Sequence, residues 1–596
     1  MVVVRAFRLR FRRHLRRSKR QAEAFGQFAE ERLERDFFKR LDRLAGVRRF
    51  VAGWVVLVVL LLGCLITQMY GLTRYYQTLQ PAPGGSFSEG ILGSFTNANP
   101  LYATGSVNAA VSRLVFAGLL KYDDNNHLTG DLAQSYEVDA RGTTYTVHLR
   151  PHLTWQDGRP LTADDVVYTF RAIQNPDAQS PLNSGWTGIK ISEPNSLTVV
   201  FTLPNVLASF PDSLTTGIIP QHILSGTPMS QLRSSTFNTN DPIGAGPFAW
   251  QTLQVNGTDD QSREEQIELV PFAEYQGGKP KLDSFVVHSY LDQGRMIKAF
   301  QSQTVDALVG LSTVPPEVAK SSNVRINSLE LTAAVMTFFK TSTGVLSDTQ
   351  VRQALVKGAN VPAIVQGLGY PTLPVTEPLL RGQLGYNPAY QQAQFNQLAA
   401  MQQLDQAGWV AGKDGIRSKA GQRLSFKLYA EDNGEYAAVA TALQKQWTQI
   451  GVDVQVTLQS AADFQTTLAQ HTYDALLYGI SIGSDPDTFV YWDSSQADPR
   501  AAHRYNFSEY KSGTVDAALE SGRTRLDPAL RIAKYQPFLQ AWQADAPALG
   551  LYQPRFLYIT RGPVYGLPPH AINTETDRFN NVQNWMVREV WTTPKY

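Results

Sequence analysis

Leu424-Ser-Phe-Lys-Leu-Tyr429, Tyr436 to Ile450, Val452-Asp-Val-Gln-Val-Thr-Leu458, Ala461 to Gln470 and Tyr473-Asp-Ala-Leu-Leu-Tyr478 follow one another in the last third of the chain. The first, third and fifth segments are short and apolar or alternate with period 2, which predicts strands; the longer segments between them predict helices. Strands that alternate with helices of 10 to 15 residues form βαβ units and a parallel sheet, so the fold class is α/β. Ligands of open α/β sheets bind outside the carboxyl ends of the strands. Gly479-Ile-Ser-Ile-Gly-Ser-Asp-Pro-Asp487, just past the third strand, is therefore a candidate site.

Further upstream, Gly142 to Arg150 puts Tyr145, Val147 and Leu149 on one face, which predicts a half-buried strand. After the Asp157-Gly158 turn, Thr162 and Asp165 form a capping-box variant, with Leu161 placed to staple onto Val166. Pro81-Ala82-Pro83-Gly84-Gly85 reads as a linker to a body beginning near Ser86. There is no repeat at a fixed period.

Charge is unevenly distributed. The first 50 residues carry 16 Lys/Arg and 6 Asp/Glu, whereas the remainder carries 38 basic and 46 acidic residues. Between Arg49 and Arg74 lie 24 residues without a charged side chain, enough to cross roughly 30 Å of hydrocarbon as a helix. The basic block before this run places the N-terminus in the cytoplasm and the body outside, with Trp54, Tyr70, Tyr75 and Tyr76 as interfacial anchors. About 49 residues precede the run and it continues past Cys64, so it reads as an uncleaved anchor rather than a signal with a lipidated Cys64. Leu33, Phe37, Leu41 and Leu44 have helical spacing in the tail, which suits an anionic inner leaflet. Orientation alone accounts for the basic run 13–20, and no nucleic-acid partner is expected. One Cys in 596 residues excludes a disulfide scaffold.

Catalytic signatures are weak. Gly479-Ile-Ser481-Ile-Gly483 matches the nucleophile elbow, and Asp487 followed by His503 or His570 keeps the order Ser, Asp, His. Gly483 and Pro486 interrupt the helix that the elbow requires, so a serine hydrolase using Ser481 is the lesser alternative. There is no phosphate loop, and Gly244-Ala-Gly-Pro-Phe248 puts a proline where a dinucleotide-binding helix would open. Asp123-Asp-Asn-Asn-His-Leu128 has Leu128 where a calcium loop needs Gly, and the nine His are scattered. No metal, no cofactor and no enzymatic activity are expected.

Several motifs, in order, resemble those of the family 5 extracellular solute-binding proteins, the dipeptide-, oligopeptide- and nickel-binding components of ABC transporters. They are Asp131 to Glu137, Tyr145 to Arg150 with Leu153 to Phe170, Asp241 to Phe248, Val351 to Leu355, Gln406 to Trp409 and Asp485 to Phe489. The resemblance runs from about 86 to 560. It implies a type II periplasmic-binding fold with two α/β lobes and an extra lobe, preceded here by one transmembrane helix (50–72) and a linker (73–85). Lobe I would comprise 86–116, 238–340 and 556–596, extra lobe II 117–237 and lobe III 341–555. It further implies capture of a small ligand, most readily a peptide, between closing lobes, and delivery to an ABC permease with its ATPase subunits. A surface receptor that kept the fold without transport is a second alternative. By the same resemblance Ser106 and Val107 line the pocket from lobe I, Trp186 from lobe II, and Tyr478, Ile480 and Ile482 from lobe III. Peptide-binding members place an Asp where this chain has Ile482, so either another acid, Asp485, is the partner of a ligand ammonium or the ligand has no free amine at that place.

Overall fold

The computed structural model describes residues 48–257, 263–321, 323–498, 500, 504–567 and 571–592. The basic tail, with its expected helical spacing, lies outside the described residues. One unit takes in the described residues 48–80 and 589–592. Its helix Arg48–Tyr76 contains Phe50–Leu72, 23 residues long and apolar enough to cross a membrane. Thr67 Oγ1 donates to Gly63 O at 2.7 Å, so this hydroxyl is satisfied within the helix, as an apolar surrounding requires. Strand Thr78–Ala82 occupies the expected linker and pairs with Arg588–Thr592.

The second unit, 81–588, is built on three large sheets. The first runs Val324–Glu330, Arg555–Arg561, Ala307–Val309, Ser86–Leu92, Ser284–Tyr290, Glu264–Pro271, Phe248–Asn256. Ser86–Leu92 is parallel to both of its neighbours, and its Glu89 is wholly buried on Arg578 at 2.8 Å. The second sheet is antiparallel, in the order Ala133–Val138, Thr144–Leu149, Thr198–Thr202, Lys190–Asn195. Tyr145, Val147 and Leu149 are buried, as their alternation predicts. Helix Ala163–Gln174 follows, with the Thr162/Asp165 capping box formed and Leu161 and Val166 buried.

The third sheet contains the βαβ run. Ser425–Glu431 lies between and parallel to Asp453–Gln459 and Ala475–Ser481, with helices Gly434–Gln449 and Ala461–Gln470 as the crossovers. The expected parallel sheet is in fact mixed, because Ala333–Phe339 and Ala548–Tyr552 extend it antiparallel. Ala333–Phe339 thus pairs within the third sheet, whereas the expected boundary at 340 grouped it with strands of the first. All seven of its residues are buried; without alternation it carries no sign of which sheet it joins. Only Leu331-Thr332 and Gln553-Pro554 separate strands of the first sheet from strands of the third.

The motifs around Trp155 and Gly244 meet in space. Gln156 Nε2 donates to Val115 O, Gly246 O and Phe248 O at 2.8–3.3 Å and its Oε1 accepts from Gly244 N at 2.8 Å. A Cβ on Gly244 would stand 2.0 Å from Val115 O. The glycine is there because the backbone must approach the end of helix Ser106–Val115, not to cradle a phosphate.

Candidate functional site

A cavity of about 500 Å³ lies beside helix Ser106–Val115. Helix Ser106–Val115 contributes Ala109, Ser112 and Arg113; the segment 117–237 contributes Lys121, Tyr122, Leu182 and Thr215 to Gly217; the end of strand Ala475–Ser481 and the turn after it contribute Ser481 and Gly483; and 573–577 closes the wall. Arg113 Nη2 donates to Asn580 Oδ1 at 2.7 Å, and Lys121 Nζ is 3.7 Å from Asp131. Asp577 takes backbone donors from Asn573 and Thr574, both at 3.0 Å, within a capping box. Burial pushes its pKa up, and Arg113 opposes the shift. Tyr122 donates to Asp212 Oδ1 at 2.6 Å, and Ser484 Oγ donates to Tyr122 at 3.4 Å. Burial raises Asp212 to about 6. The wall therefore offers hydroxyls, two cations and one buried acid to a polar solute.

The expected residues are only partly at this wall. Ser106 and Val107 start the lining helix one turn before Ala109, and Val107 is buried in the core. Trp186 is also in the core, stacked on Phe170 at 4.0 Å; Leu182, one turn earlier, lines the cavity instead. Ile480 and Ile482 are buried, while Ser481 and Gly483, of opposite parity, face the cavity. Tyr478 and Ile480 border a second cavity. Asp485 has no free carboxylate for a ligand ammonium. Arg531 holds it with two bonds, at 2.8 and 2.7 Å, because the buried guanidinium needs an anion. Asp487 is likewise held, by Arg523 at 3.1 Å and Ser209 at 3.0 Å.

Arg113, Lys121, Tyr122 and Asp577 were not singled out from the sequence. Thr574-x-x-Asp577 was legible as a capping box; a lone Arg on a helix carries no such signal. The elbow reading loses its geometry, since Ser481 ends its strand, Gly483 has φ +78°, and no helix begins before Phe489–Trp492. His503 and His570 lie outside the described residues. Asp123 Oδ1 accepts from Asn125 and His127 N, closing a hairpin turn, and among the described residues no cluster of metal ligands occurs.

Residues 127–500 match the family model described as bacterial extracellular solute-binding proteins, family 5 Middle. The oligopeptide-binding protein AppA of Bacillus subtilis is 25% identical over 511 residues, which is 84% of this chain and 92% of that one. The crystal structure of NikZ from Campylobacter jejuni in complex with Ni(L-His) superposes with a TM-score of 0.72 at 26% identity, covering 84% of this chain and 99% of that one. The AppA structure, in complex with a nonapeptide, gives 0.69 at 24% identity, covering 85% and 100%.

Proposed function

Because the chain belongs to the family 5 bacterial extracellular solute-binding proteins, we propose that it captures a small ligand, a peptide first, and delivers it to an ABC import permease with its ATPase subunits. The observation that carries this reading is the cavity walled by residues of 100–122, 182–217, 481–483 and 573–577, segments that the expected boundaries divide among three lobes. A ligand there touches each lobe only when they are together, so binding favours the closed form; a shift from 1:99 to 99:1 needs about 5.5 kcal/mol of differential affinity. The two short links between the first and third sheets are the natural place for that rotation. The lobe boundaries are those expected above, with Ala333–Phe339 moved to lobe III. The N-terminal helix serves as an uncleaved anchor, with the N-terminus cytoplasmic and the body extracytoplasmic. The wall residues Arg113, Tyr122 and Ser481 make direct contacts, and Ser106, Val107, Trp186, Ile480 and Ile482 support them from behind.

The test is titration of the full chain in detergent micelles with short peptides and, since NikZ is held with Ni(L-His), with that chelate. Scattering is recorded in parallel. Micromolar or tighter binding accompanied by compaction is expected; neither binding nor compaction with any of them would remove the proposal. An intact mass beginning at a lipidated Cys64 would overturn the anchor.

A further inference from the structure

The helix Arg48–Tyr76 has 29 residues, about 44 Å at a rise of about 1.5 Å per residue, which matches the roughly 40–45 Å of a bilayer counted with its headgroups. Strand Thr78–Ala82 begins two residues after that helix ends. Two residues span at most about 7 Å, so the strand starts at the level where headgroups meet water. Its partner is Arg588–Thr592, which follows the whole 81–588 unit in sequence. Paired strands lie about 4.8 Å apart. The helix therefore sets the level of the second strand along with that of the first.

Among the described residues this ribbon has no third strand. Two paired strands alone are marginal in water, and a sheet gains stability when one face is covered. The side chains suit a cover that is apolar and hydrated at once. Gln80 Nε2 donates to Thr78 Oγ1 at 3.1 Å, which gives the first strand a polar face, and alternation sends Leu79, 45% exposed, to the other. Trp591 on the second strand is 62% exposed, and its ring is of the amphipathic kind that gathers at membrane–water interfaces. The outer edges of a two-stranded ribbon carry backbone amides and carbonyls that hydrocarbon cannot satisfy and the hydrated headgroup layer can.

We propose that the ribbon of Thr78–Ala82 and Arg588–Thr592 lies on the extracytoplasmic membrane surface, with Trp591 and Leu79 seated among the lipid headgroups. The chain is then held to the bilayer by a C-terminal strand as well as by its N-terminal helix. Lipid is the occupant because the covalent link to the helix fixes the ribbon at that level. The inference rests on the anchor reading above and adds to it a second contact that does not span the membrane.

The full chain carrying Cys64→Ala is placed in nanodiscs of phosphatidylcholine and phosphatidylglycerol, with a single nitroxide at Leu61→Cys or at Thr592→Cys. Depth is read from collisions with oxygen, which enters lipid, against collisions with chromium oxalate, which stays in water. The label at 61 is expected at hydrocarbon depth, and the label at 592 at the oxygen-to-chromium ratio of a lipid labelled on its headgroup. Trp591→Asp should raise chromium collisions at 592 by about threefold or more. Trp591→Tyr, which keeps an aromatic ring with a polar tip, should leave them unchanged, and this guards against a folding artefact. A bulk-water ratio at 592 with the label at 61 in hydrocarbon overturns the ribbon contact and leaves the anchor standing. A headgroup ratio at 592 that Trp591→Asp does not alter overturns the seating of the indole. A bulk-water ratio at 61 overturns the anchor and the ribbon contact together.

Discussion

Asp485→Asn distinguishes a protein-bound carboxylate from a ligand-binding one. In the structure Arg531 is 6% exposed and spends two donors on Asp485; a third contact, to Tyr535 Oη, is long at 3.4 Å. Burial disfavours the charge on Arg531, and Asp485 more than restores it, so the guanidinium pKa is held above its usual value. Removing the partner leaves a buried cation, which costs about 3–5 kcal/mol. The low end applies because the Asp485 side chain retains 19% of its surface and water reaches one side of the pair. About 3 kcal/mol lowers the melting temperature of a domain of 150–250 residues by roughly 6–12 °C, and that of the larger 81–588 unit by less. The assay is thermal unfolding of the full chain in micelles followed by tryptophan emission, with Trp492 and Trp542 buried in the same lobe core. Asp485→Leu with Arg531→Met should regain most of the loss, since an apolar pair needs no anion. Affinity for Ala-Ala-Phe should change little. An unchanged melting temperature with affinity reduced by more than a hundredfold would refute the reasoning and make Asp485 the partner of a ligand ammonium.

Glu377 is fully buried, its only described donor is Asn387 N at 3.2 Å, and burial pushes its pKa up to about 8. A carboxyl raised above its unfolded value contributes stability that is complete below about pH 4.5 and lost as pH climbs through 8. Glu377→Gln should therefore gain on the parent by something on the order of 3 kcal/mol between pH 5 and 8.5 in urea unfolding; a constant difference between the two would disprove the assignment. A Cβ on Gly522 would lie 2.4 Å from the Tyr535 ring, so Gly522→Ala should cost about 1–3 kcal/mol by overpacking, relieved by Tyr535→Leu. If the double variant melts no higher than the single one, the clash is not the cause. Gln156→Ala removes four hydrogen bonds that join three segments; with buried groups left unpaired at about 1–3 kcal/mol each, a loss of at least 2 kcal/mol is expected, and one below 0.5 kcal/mol would show water replacing the amide.

Local signals are legible when a short segment alone sets the energy. Thr162 caps because its own turn exposes amide donors, and Tyr145, Val147 and Leu149 share a face because a strand alternates. The helix Ala461–Gln470 and the strands around it follow from the same periodicities. Motif order and the apolar run pointed to the family, whose model matches 127–500. Site residues were harder to read, since parity at a strand end depends on where the strand stops: Ala475–Ser481 runs three residues beyond Tyr478, and Ser481 and Gly483 reach the cavity rather than Ile480 and Ile482.

The sequence by itself determined the elements, the strand-helix alternation of the third sheet and the presence of one membrane-length helix, because each depends on residues within a few turns of one another. Only the tertiary structure decided that Ala333–Phe339 completes the third sheet and that Asp485 is held by Arg531 46 residues away. Those outcomes depend on which distant groups meet once water is excluded. A charge pattern along the chain does not encode that pairing, since the cost of an unpartnered charge arises only when packing buries it.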